Sequence, residues 1–148
     1  MKKALGWRFS VVLLAAALVM TATLLSEAAE GPRQADNSIY EFWTKFRAAV
    51  IKGDKVGVAG LTRFPVELPY GMGILKNRAQ LMSRYRTVFN GEANAAKCFG
   101  TAKPQIDPAN PKLFTVGCKN AAGDEVVIYS FARTANGWKF AGLDNINE

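Results

Sequence analysis

The sequence predicts an α+β fold, with N-terminal helices packed on a curved antiparallel β-sheet. Three observations carry that expectation. Apolar residues recur at helical spacing in two stretches between Ile39 and Phe89, each opened by a capping signal. From Lys103 onward the apolar period shortens to two, the mark of strands. The part that can form a core amounts to one domain's worth of chain, so the helices must cover the sheet they precede.

The N-terminal segment stands apart. Lys2, Lys3 and Arg8 precede an apolar run from Phe9 to Leu25, and Ser26 and Ala28 occupy the −3 and −1 positions of a signal-peptidase site. Residues 1–28 are therefore read as a cleaved secretory signal peptide, and the protein as periplasmic or secreted. An uncleaved anchor is the competing reading, because the run approaches the length of a short spanning helix. Thr21 and Thr23 break its end, and no cysteine near the cut could take a lipid. No later stretch is long and apolar enough to span, so no membrane span is expected after cleavage.

Residues 29–37 carry Gly31-Pro32 and read as a flexible leader, and residues 38–148 as a single domain. Ser38 and Glu41 form a capping box, after which Ile39, Phe42, Trp43, Phe46, Ala49 and Val50 line one helix face up to Gly53. Asp54 caps a shorter second helix with Val56, Ala59 and Leu61 turned inward. Phe64, Val66 and Leu68 alternate as a strand that Pro65 and Pro69 confine to an edge or to a short piece. After the Gly71-Met72-Gly73 turn, Asn77 and Gln80 open a third helix carrying Leu81, Met82, Tyr85, Val88 and Phe89 and stopping at Asn90-Gly91. Residues 92–99 add a further helical turn or serve as a connection. Phe114, Val116 and Cys118 then alternate, as do Val127, Tyr129 and Phe131, and Asn136-Gly137 turns the chain into a last strand from Trp138.

Charge and composition exclude several functions. The net charge is +7, and loss of residues 1–28 leaves 120 residues with a net charge of +5, dispersed from Arg33 to Lys139. Such a surplus favours solubility and acidic partners or anionic envelope surfaces but is no nucleic-acid signature, and no nucleic-acid partner is expected of an exported protein. The chain contains no histidine. Ser-His-Asp and Cys-His catalysis are thereby excluded, as are histidine metal sites, and no metal or other cofactor is expected. The two cysteines, Cys98 and Cys118, are expected to pair as a disulfide in an oxidising compartment, with two buried thiols as the alternative.

The order helix, helix, short strand, helix, meander resembles the nuclear transport factor 2-like superfamily, also called SnoaL-like or cystatin-like cone proteins. Phe42 to Val50, Asp54 through Phe64-Pro65, the Leu81 to Phe89 helix and Gly137-Trp138-Lys139-Phe140 carry the likeness, which covers almost the whole mature chain. The resemblance implies that sheet and helices enclose a cone-shaped pocket. Trp43, Phe46, Tyr85, Phe89, Tyr129, Phe131 and Trp138 are the residues that would line it and bind a ligand; the competing reading makes them core.

Two kinds of function follow from the resemblance. An isomerase or dehydratase would use a buried carboxylate and a tyrosine, for which Glu67, Asp144, Tyr85 and Tyr129 are the weak catalytic candidates. The aspartate-histidine arrangement of many such enzymes has no counterpart here, and Glu67 points away from the Val66-Leu68 face of a regular strand. A non-catalytic binding module needs no proton transfer, and it is the preferred reading: the partner is a small apolar molecule, a peptide or an envelope protein. Arg78, Arg84 and Arg86 offer such a partner a basic helix face, although solvated charges are the commoner explanation. A structural homodimer through the open sheet face is the third reading, compatible with ligand binding.

Overall fold

The computed structural model describes residues 32–69 and 71–147. The expected signal peptide (residues 1–28) lies outside the described residues. Among those described, no helix is long and apolar enough to cross a membrane.

Helix α1 (Pro32–Lys52) begins at Pro32 rather than at Ser38. Proline is well suited to the first turn, where its missing N–H costs nothing. Ser38 is consequently inside the helix, and its hydroxyl serves the sheet instead of a cap: it accepts from Arg133 Nη1 at 2.9 Å and Trp138 Nε1 at 3.1 Å. The inner face is as the periodicity predicts, with Ile39, Phe42, Trp43, Phe46 and Val50 buried. Gly53, at φ 69°, ends the helix.

Asp54 caps α2 (Lys55–Gly60), accepting from the Gly57 amide at 2.9 Å. Val58 and Ala59 are the buried residues of this helix, whereas Val56, expected inside, is exposed. A helix of six residues buries only the side that faces its neighbours, here α1 and the helix that begins at Arg78. The single helix expected from Leu81 to Phe89 is two, α3 (Arg78–Ser83) and α4 (Tyr85–Asn90). The chain leaves helical geometry at Arg84, whose Nη1 donates to the Met72 carbonyl at 2.8 Å. Asn77 caps α3 as expected, accepting from the Gln80 amide, but Gln80 reaches back to the amide of Lys76. Residues 95–99 form α5 (Ala95–Phe99), capped by Asn94.

Among the described residues six strands make one open sheet: β1 (Thr62–Glu67), β2 (Ile74–Leu75), β3 (Gln105–Ile106), β4 (Leu113–Lys119), β5 (Glu125–Thr134) and β6 (Gly137–Asn147), in the order β2-β1-β6-β5-β4-β3. The sheet is mixed, not wholly antiparallel, because β1 runs parallel to β6. On its other side β1 pairs with the two-residue strand β2 at Val66 and Glu67 only, so Thr62 to Pro65 form an edge among the described residues, as Pro65 requires. The long meander β4-β5-β6 behaves as its alternation predicts: Phe114, Val116, Cys118, Val127, Tyr129, Phe131, Trp138 and Phe140 are buried against the helices.

Cys98 and Cys118 form a disulfide that ties α5 to β4, with their Cα atoms 5.8 Å apart.

Candidate functional site

The seven aromatic residues expected to line a cone are brought together, and their rings occupy the space between helices and sheet. Phe46, with no exposed surface, meets Phe131 edge-on at 5.0 Å between centroids, Phe140 at 5.7 Å and Phe89 at 6.2 Å. Trp43 stands edge-on to Phe131 at 5.8 Å and to Phe99 at 4.8 Å. Tyr129 stacks on Phe89 at 5.9 Å, and Tyr85 lies 4.9 Å from Phe89. Trp138 packs edge-on against Phe114 at the other end. Ring contacts at these separations are those of a close-packed core.

The two tyrosine hydroxyls are already engaged. Tyr85 donates to the Val50 carbonyl at 3.3 Å and Tyr129 to the Val88 carbonyl at 3.4 Å. Burial, with the Asp54 carboxylate nearby, raises the Tyr85 hydroxyl above the usual 10.0. Burial raises Tyr129 further, with smaller contributions from Glu92 and Tyr85. Both are held as neutral donors.

Glu67 and Asp144 lie elsewhere, on the outer face of the sheet. For Asp144 the cause is a single residue. Trp138 and Phe140 point inward, and a regular strand would send Gly142 and Asp144 the same way. Between Ser130–Gly142 and Phe131–Phe140 the register slips, leaving Ala141 as a bulge. Beyond it Leu143 faces the core and Asp144 is exposed.

A second irregularity opens a groove beside these carboxylates. β1 is in register with β6 at Thr62–Phe140 and at Glu67–Gly142, so five steps on β1 accompany two on β6. Residues 63–66 must bow away, because strands rise by a nearly fixed ~3.3 Å per residue. The resulting groove has a volume of about 790 Å³. Phe64, Pro65 and Leu68 give it apolar walls, while Arg63, Glu67 and Asp144 give it charge. Because Glu67 is level with Gly142, the two carboxylates stand on adjacent strands two residues out of step.

Sequence reading missed one polar cluster. Asn145 Nδ2 donates to Glu92 Oε2 at 2.8 Å and to Glu125 Oε2 at 3.2 Å, joining β6, β5 and the α4-α5 connection. Its only signal is a capping-type asparagine inside a strand. Among the described residues no group of three or more acidic or cysteine side chains could hold a metal ion.

No protein-family model matches the chain, and no curated protein matches it. Solved structures do resemble it. One is a domain of unknown function with a cystatin-like fold from Nostoc punctiforme, at 16% identity and a TM-score of 0.48, covering 78% of each chain. Another is a type 2 hexachlorocyclohexane dehydrochlorinase, at 13% identity and TM-score 0.46, with 79% of this chain and 88% of that one covered. A nuclear transport factor 2-like protein with a cystatin-like fold from Novosphingobium aromaticivorans matches at 15% identity and TM-score 0.43, covering 78% of this chain and 82% of that one. The chemistry in such names belongs to those proteins.

Proposed function

We propose that this is an exported, non-catalytic binding module that receives an extended peptide segment of an envelope protein in the groove between β1 and β6. The observation that carries the reading is the bulge at Ala141. It turns Asp144 to the outside, where strand alternation already sets Glu67, while Tyr85 and Tyr129 lie inside, so the carboxylate-tyrosine pair an isomerase or dehydratase would use is not assembled from these residues. The ring contacts described above leave the aromatic cone serving as core, which argues against a small apolar ligand there. The groove offers what an extended segment needs, namely apolar walls for side chains and charges of both signs for register.

A photo-crosslinking residue at Ala141, in the groove, tests this against one at Thr44, on the exposed side of α1. Discrete adducts from Ala141 alone, lost when Glu67 and Asp144 are neutralised, are expected. Identical adduct patterns from both positions would reject the groove. Export has its own test: the protein recovered from the envelope should have the intact mass of a chain lacking residues 1–28.

A homodimer through the outer sheet face is the second reading, favoured by a specific apolar patch. Ile146 is 54% exposed and pairs with Val126, and Val126 and Ile128 lean over Gly117. Such a patch on a twisted sheet suits a self-complementary interface. Sedimentation of Ile146→Glu beside the unaltered protein tests it; a monomeric unaltered protein rejects it.

A further inference from the structure

We propose that the recess beside the disulfide is an anion site for a phosphate-bearing ligand, assembled by the Cys98–Cys118 bridge. Lys97 directly precedes Cys98 on α5, and Lys119 directly follows Cys118 at the end of β4. The bridge joins positions twenty residues apart in sequence and so brings both lysines to one recess of about 680 Å³. Thr101, Asn94 and Asn120 complete its polar wall, and among the described residues no carboxylate lines it.

The lysines are unneutralised. Among the described residues neither ammonium has an ion-pair partner, whereas Lys139, elsewhere, is tied to the Gly60 carbonyl at 2.9 Å. Asn120 Nδ2 donates to Asp124 Oδ1 at 2.8 Å and to Glu125 Oε2 at 3.4 Å, which holds these two carboxylates on the hairpin behind Asn120. The asparagines hold the backbone in place, with Asn94 Oδ1 accepting from the Lys97 amide at 2.9 Å and Asn120 Oδ1 from the Gly123 amide at 2.6 Å. Two ammonium groups, each with three rotatable donors, answer a group of about −1.5 to −2 charge, which a phosphate monoester carries and a single carboxylate does not. The recess is also larger than phosphate alone, leaving room for the organic group that bears it. That phosphate can belong to a soluble metabolite or to a lipid headgroup.

The test is a titration of the oxidised protein with glycerol 3-phosphate and, separately, with vesicles containing phosphatidic acid, followed by the amide signals of Lys97, Thr101 and Lys119 and by vesicle sedimentation. Saturable binding of either probe is expected, weakened about tenfold in Lys97→Ala/Lys119→Ala. Binding of the first probe identifies a soluble ligand, and binding of the vesicles alone a headgroup. Cys98→Ser/Cys118→Ser, which keeps both lysines but frees their spacing, should weaken binding as well; equal affinity in a folded variant would overturn the role of the bridge. Both lysines are exposed, so their double variant keeps the fold and the result stays readable. No saturable response to either probe up to about 10 mM phosphate, or unchanged affinity in the lysine variant, overturns the site.

Discussion

Glu67 and Asp144 share one groove because a parallel pairing sets Glu67 level with Gly142, and the bulge at Ala141 then turns Asp144 to the same outer face. With Arg63 as the one cation among the groove's described residues, the pair gives it a negative balance. Glu67→Gln/Asp144→Asn should weaken binding of a lysine-bearing extended peptide about tenfold, an effect shrinking with added salt. Because both side chains are exposed, the melting temperature should hardly move. Calorimetric titration at two salt concentrations checks this, and a salt-independent affinity equal to that of the unaltered protein speaks against a charged groove.

The buried tyrosines make an alkaline prediction. Tyr85 and Tyr129 have hydroxyls raised above the usual 10.0, so the folded state holds protons that the unfolded chain releases near pH 10. Their contribution is complete below pH 10 and is lost as pH rises from there through the folded values. Thermal melts should therefore show stability falling above about pH 10. In Tyr85→Phe/Tyr129→Phe that fall should be reduced, leaving only the part due to other groups.

Ser38 links α1 to the sheet. Ser38→Ala removes the acceptor for Arg133 and for the indole of buried Trp138, at a cost of about 1–3 kcal/mol. Hydrogen exchange distinguishes this from lost capping. The Trp138 indole should exchange faster, while the amides of Tyr40 and Glu41, which a Ser38 cap would serve, keep their protection.

Phe46 is the ring around which the interior is packed. Phe46→Ala should destabilise the protein by about 3–5 kcal/mol, as removal of a fully buried phenylalanine does. Urea unfolding measures it. A loss below about 1 kcal/mol would mean that the interior is looser than its ring contacts indicate.

Much of this architecture is legible in the chain because local chemistry writes it. The inner face of α1, the Asp54 and Asn77 caps, the alternation of β4 and β5 and the Cys98–Cys118 pair each depend on short-range spacing or on simple pairing. What escapes reading is non-local. Strands β2 and β3 are two residues long and carry no period. The parallel β1-β6 pairing joins segments more than seventy residues apart, and nothing in either segment announces it. The break at Arg84 reflects a contact to Met72 across a turn. The candidate site suffers most from this, since one extra residue at Ala141 decides whether Asp144 faces the core or the solvent, and periodicity alone favours the core.

The location of the binding surface is the central claim, and amide shift mapping with a lysine-bearing extended peptide tests it most directly. The expected result is a continuous set of perturbed signals at Arg63, Phe64, Glu67, Leu68, Ser130 and Ala141 to Asp144, with Phe46, Tyr129 and Phe131 unmoved. Perturbation centred on those interior rings, with the groove silent, would contradict it.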